Sequence, residues 1–282
     1  MTDDETDEGV GRARPPILAD KATDEPSAFT PQGLLREARR QKGLLVASVP
    51  GVCVLDPDGD LVRDLVRSGR AVRDETWACY HTELHVLDED GLRLGLVGGA
   101  VGASFAVLVA EELFATGCRV LLSVTSAGRV ADPDGPASFV LIERALRDEG
   151  TSYHYLPPAR YSDADPALVE RAVAGLVSAG IAVLRGSSWT TDAPFRETAT
   201  AIAARREEGI LAVEMEAAAL YSFARARGRD VLCFAHLTNQ MAQIEGDFEK
   251  GPNDGAFEAL GLIEIVARAV GGPLPRGDDA DG

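Results

Sequence analysis

Between residues 92 and 117 the chain passes from a strand-like stretch, 92–97, through a glycine cluster, Gly98, Gly99 and Gly102, into SFAVLVAEELFAT. That last stretch is apolar almost all round, so as a helix it must be buried on nearly every side. A strand feeding a buried helix calls for a covered sheet, and the rest of the chain alternates accordingly. Residues 43–55 read as a strand and 61–68 as a short helix. Residues 119–124 read as a strand, 168–180 as an amphipathic helix stopped by glycine, and 181–184 as a short strand. Residues 210–213 read as a strand and 216–227 as an alanine-rich helix stopped by Gly228. A strand at 231–237 and a closing helix at 256–270 follow. The alternation predicts an α/β sandwich with a mixed central sheet.

The 282 residues suffice for one large domain, and 45% hydrophobic residues can fill its core. Residues 1–28 are polar, acidic and proline-bearing and read as a disordered tail, as do 271–282, which leaves one domain over 29–270. A net charge of −17 repels nucleic acid and anionic membranes, so neither is expected as a partner. No run approaches the roughly 18 apolar residues of a membrane span. MTDDETDEG lacks an apolar signal-peptide core, so the expected location is cytoplasmic. Cys53, Cys79, Cys118 and Cys233 form no CxxC pair and sit in apolar runs; buried thiols are expected, with no metal site.

GLVGGAVGAS sits where backbone amides at a helix N-terminus can cradle an anion. A dinucleotide fingerprint needs GxGxxG and an acid at the end of the next strand; this loop lacks the spacing, and LLSVTSAG lacks the acid.

Three segments, taken in order, resemble the nucleoside phosphorylase superfamily, which includes purine nucleoside phosphorylases, uridine phosphorylases and related nucleosidases. The most specific is Val213-Glu214-Met215-Glu216-Ala217-Ala218-Ala219-Leu220-Tyr221. The second, Thr190-Thr191-Asp192-Ala193-Pro194-Phe195-Arg196-Glu197-Thr198, resembles the base-side loop. The third is the glycine loop, its helix and the strand into Thr125-Ser126-Ala127-Gly128. The stretch from Arg147 to Tyr155 is similar to one in the uridine-phosphorylase-like branch. The resemblance implies a three-layer α/β sandwich with a partly barrel-like sheet. It also implies cleavage of a nucleoside's N-glycosidic bond, without a cofactor, by a homo-oligomer (trimer or hexamer).

Such cleavage builds positive charge on the sugar and negative charge on the departing base. The resemblance assigns Glu216 to the ribose 2′- and 3′-hydroxyls and Met215 to the ribose face. Glu214 would hold the segment or touch the sugar. Phe195 would stack on the base, Arg196 would bind a base carbonyl, and Asp192 would organise their loop. Asn239 lies where purine-cleaving relatives usually carry an Asp that protonates the base; an amide can donate a hydrogen bond but not a catalytic proton.

The resemblance implies phosphorolysis of the uridine-phosphorylase-like kind, to free base and (deoxy)ribose 1-phosphate, as the first expectation. Phosphorolysis, with phosphate as co-substrate beside the nucleoside, is the commoner reaction of the superfamily. Yet Ser123 stands where an R-x-G-T arginine is usual, and Asp56, Asp58 and Asp60 crowd the turn where a second arginine is usual. Phosphate would then rely on Gly102, Ser126, Arg63 and Arg129. Hydrolysis by water and nucleoside binding without catalysis are the alternatives.

Overall fold

A computed structural model of the chain describes residues 15–19, 21–131, 138–239 and 255–272. Most of the two expected tails lies outside these residues; the described part of the first, 15–19 and 21–28, holds turns and neither helix nor strand.

Seven helices are described: α1 (Pro31–Lys42), α2 (Asp60–Arg67), α3 (Ala103–Ala115), α4 (Pro166–Ser178), α5 (Ala199–Glu207), α6 (Ala217–Arg227) and α7 (Ala256–Val270). The strands are β1 (Val52–Asp56), β2 (Ala71–Arg73), β3 (His85–Glu89), β4 (Leu92–Gly98), β5 (Val120–Arg129), β6 (Phe139–Asp148), β7 (Tyr161–Asp163), β8 (Leu184–Thr191), β9 (Ile210–Glu214) and β10 (Asp230–Asn239). They form one mixed sheet in which β10, β6, β8, β9 and β5 follow one another and β5 pairs back with β10, closing a five-stranded barrel. From β5 the sheet continues outward through β1, β4, β3 and β2. Helices cover it in two sets, α1 with α3 and α6, and α2 with α4 and α7. This is the three-layer α/β architecture with a partly barrel-like sheet.

Helix α3 is apolar almost all round, which suits its place between α1 and α6, and its Ala106, Val109, Ala110 and Leu113 are inaccessible to solvent. All four cysteines are buried and free, as their apolar surroundings predict. Helices α1 and α4 begin at capping side chains, Thr30 and Asp165, each followed by a proline that presets the first helical turn.

The structure adds α1, β2, β3, β7 and α5 to the elements read from the pattern, and it differs instructively at three further segments. The strand expected over 43–55 starts only at Val52. Leu45 and Val46 are 80% and 86% exposed, and Pro50 just upstream has no N–H for a ladder. The short strand at 181–184 instead runs Leu184–Thr191, between β6 and β9. It carries Ser187, Ser188, Thr190 and Thr191 into the interior, so its burial is not written in apolar residues. Strand β6 has no clean alternation because a bulge between Ile142 and Arg144 shifts its register on β8.

Register brings the strand ends together. Thr190 lies beside Glu214, Val213 beside Gly128, and Gly128 beside Asn239, so β8, β9, β5 and β10 meet at one rim of the barrel. No helix among the described residues is long and apolar enough to cross a membrane.

On one flank α4 and α7 touch closely enough that a Cβ on Gly175 would come within 2.7 Å of the Ala269 Cβ. Gly175→Val is therefore expected to lose about 1–3 kcal/mol of stability by overpacking, read as a lower urea midpoint at unchanged slope.

Candidate active site

The site is built where β9 hands over to α6. Glu214 is the last residue of the strand and Glu216 the residue preceding the helix; both are almost fully buried. One Glu214 oxygen accepts from the Ser188 hydroxyl at 2.9 Å and the Thr190 hydroxyl at 2.5 Å. The other accepts the backbone N–H groups of Glu216 and Ala217, each at 2.7 Å. Four donors offset much of the penalty for burying a carboxylate. Burial still holds its pKa above the ordinary carboxylate value.

Glu216 reaches the other way. Its Oε1 accepts the Gly102 N–H at 2.7 Å, at the first turn of α3. Gly102 sits at φ +95°, a conformation open to glycine and strained for other residues, and this turns its amide toward the acid. Burial first, then the nearby Glu214 charge, push the Glu216 carboxyl up to about 8, and the charge of Asp58 adds to this. The Gly102 amide and the Thr125 hydroxyl pull it down. Met215, between the two acids, is half-buried.

The acidic turn after β1 divides its work. Asp56 is buried and accepts from the amides of Gly59 at 3.1 Å and Val62 at 3.0 Å, which fixes the start of α2. Burial, opposed by these bonds and reinforced by Asp58 and Asp60, raises its carboxyl to about 6. Asp58 points to the end of β5, where its Oδ2 accepts the Ser126 N–H at 2.7 Å. Arg63 is exposed and folds back on its own loop, bonded to the Asp58 carbonyl at 3.0 Å and to the Asp60 carboxylate. Arg129 closes β5, half-buried opposite Ala212. The two amides expected to cradle an anion, those of Gly102 and Ser126, are thus both taken by the protein's own carboxylates.

In the loop expected to face the base, Asp192 follows the end of β8 and accepts the Gly150 N–H at 2.8 Å, tying the loop to the turn after β6. Phe195 and Arg196 lie in a short 3-10 turn, Pro194–Arg196. Phe195 is 99% exposed, and neither side chain makes a hydrogen bond, ion pair or ring contact to another described residue. Asn239 ends β10 beside Gly128, half-buried, its amide donating to the Thr238 hydroxyl at 3.2 Å.

The structure therefore gathers Glu214, Met215, Glu216, Gly102 and Ser126 at one centre and leaves Phe195 and Arg196 pointing outward. Sequence reading omitted Asp58, Thr125, Ser188 and Thr190 from this centre. Ser188 and Thr190 had a signal: two polar residues two apart on a strand face the same side.

A raised carboxyl makes stability depend on pH. Between the unfolded value near 4.5 and about 8, the folded chain keeps the Glu216 proton that the unfolded chain has lost. Stability conferred by the protonated form is whole below that window and is lost as pH rises through it. The melting temperature of the wild type is expected to fall relative to that of Glu216→Gln across this interval, in thermal denaturation at a series of pH values.

The sequence profile of the phosphorylase superfamily matches residues 52–261. No curated protein sequence matches the chain. Among solved structures, uridine phosphorylase from Vibrio fischeri superposes with a TM-score of 0.65 at 22% identity, over 78% of this chain and 93% of that one. The same enzyme complexed with 6-hydroxy-1-naphthoic acid gives 0.64 at 20% identity, over 79% and 90%. Purine nucleoside phosphorylase from Toxoplasma gondii, in complex with immucillin-H, gives 0.66 at 16% identity, over 79% and 91%. At these identities the likeness is one of fold.

Proposed function

Because the chain belongs to the phosphorylase superfamily, we propose that it cleaves the N-glycosidic bond of a nucleoside, and that water takes the sugar in place of phosphate. The carrying observation is the 2.7 Å bond from the Ser126 amide to Asp58. A carboxylate in that seat repels phosphate and can accept a proton from water.

In this reading Glu216 accepts hydrogen bonds from the ribose hydroxyls once its carboxyl is ionised, and Met215 packs on the sugar face. As the bond from C1′ to the base nitrogen breaks, its electron pair leaves with the base and positive charge builds on the ring. The carboxylates of Glu216 and Asp58 stabilise that charge. The water oxygen bonds to C1′ and its proton passes to Asp58. Asn239 donates a hydrogen bond to the departing base, which takes its proton from solvent. Arg196 and Phe195, exposed in the free protein, meet the base from the loop that Asp192 anchors; a pyrimidine dione or a 6-oxopurine suits a guanidinium and an amide. The working form is a homo-oligomer.

The test is release of free base from a panel of nucleosides with and without phosphate. Equal rates in both are expected, and release that requires phosphate contradicts the proposal. Asp58→Asn should lower kcat/KM by about 10²–10⁴-fold, the usual span of a lost general base. Glu216→Gln should abolish the rise of kcat/KM with pH toward about 8 that the raised carboxyl predicts. Binding of nucleosides without release of base would leave a binding protein.

A further inference from the structure

Helices α1, α4 and α5 are each capped by the side chain of their own first flanking residue, Thr30, Asp165 and Thr198. Helix α6 is not. Its flanking residue is Glu216, whose side chain makes no capping bond. The amides at the start of α6 are satisfied from elsewhere. Those of Glu216 and Ala217 go to the Glu214 carboxylate on β9. That of Ala218 goes to the Thr190 hydroxyl on β8, at 2.9 Å. Thr190 then donates its own proton to Glu214, and Ser188, two residues earlier on the same strand face, donates a second. All four side-chain oxygen bonds of Glu214 run to the protein, so it faces the helix start and not the sugar.

The start of a helix attracts a nearby carboxylate, and a side chain at the flanking position can fold back onto its free amides. Glu216 would be lost to the site if it did so. We infer that Thr190, supported by Ser188, is a positioning residue: it takes over the capping of α6 together with Glu214, and so leaves the Glu216 carboxylate turned toward Gly102 and the substrate. The inference rests on the reading of Glu216 as the group that meets the sugar. The geometry suits the task. Thr190 is fully buried, its strand pairs with β9 so that it stands directly beside Glu214, and a single hydroxyl both accepts from the helix and donates to the acid. Valine keeps the shape and removes both bonds; serine keeps the hydroxyl and removes only a methyl group.

The experiment compares wild type with Thr190→Val, Thr190→Ser and Ser162→Ala. The last deletes a buried hydroxyl that pairs with Ser222 on α6 at 2.6 Å, away from the site, and controls for general loosening of the helix. Two readouts are taken. The first is base release: Thr190→Val should lower kcat by tenfold or more with little change in KM, Thr190→Ser should recover most of it, and Ser162→Ala should match wild type. The second is independent of turnover: 13C-carboxyl NMR titration, with the Glu216 signal assigned by its absence in Glu216→Gln. In Thr190→Val the Glu216 midpoint should move down toward the ordinary carboxylate range, as the acid leaves its enclosed seat, and Thr190→Ser should restore it. An unmoved Glu216 titration in folded Thr190→Val overturns the inference. So does an equal loss in Ser162→Ala. If wild type releases no base from any nucleoside, the proposed reaction fails, while the titration still decides what Thr190 does.

Discussion

One buried carboxylate holds the centre of this molecule together. Glu214 gathers two hydroxyls from β8 and two amides from the start of α6, and by doing so fixes where β9 stops and at what angle the helix leaves. An acid buried this deeply is tolerable only while such donors surround it. The neighbouring Glu216 is then directed toward α3 and its first amide at Gly102. Two strands and two helices from distant parts of the chain thus converge on the spacing of two glutamates.

The same centre is electrostatically unlike a cradle for an oxyanion. Glu214, Glu216, Asp56 and Asp58 crowd the ends of β9, β1 and β5, and the nearest guanidinium of the turn, Arg63, is spent on its own loop. Carboxyls raised to about 8 at Glu216 and about 6 at Asp56 follow from burial together with this crowding. A site so arranged disfavours an incoming anion. The fold shared with uridine and purine nucleoside phosphorylases leaves the nucleophile undecided; on the reading proposed here, Asp58 decides it.

Much of this was legible in the sequence because it is written locally. The closing helix reads as 256–270 and is found there, since its apolar period is unbroken. The junction at Glu214 to Glu216 is marked by an apolar strand, two acids and an alanine-rich helix ending at Gly228, and α6 ends at that glycine in a left-handed turn. What was not legible depends on pairing across the sheet. Strand β8 looks polar because its inward hydroxyls are bonded to Glu214 and to α6, which no local pattern reveals. Helix α1 was missed because only Leu35 and Ala38 of its twelve residues are buried, too few to show a period. Asp58 could be read as repelling phosphate, yet its bond to Ser126 joins residues far apart in the chain and needs the fold to bring them together.

In this structure the protein's own carboxylates occupy both anion seats. The most direct test of that occupancy is calorimetric titration of inorganic phosphate into wild type and Asp58→Gly near neutral pH. Wild type is expected to show no saturable binding, and binding should become measurable once the Asp58 carboxylate is gone. Saturable binding to wild type at millimolar concentrations, unchanged in Asp58→Gly, would contradict it.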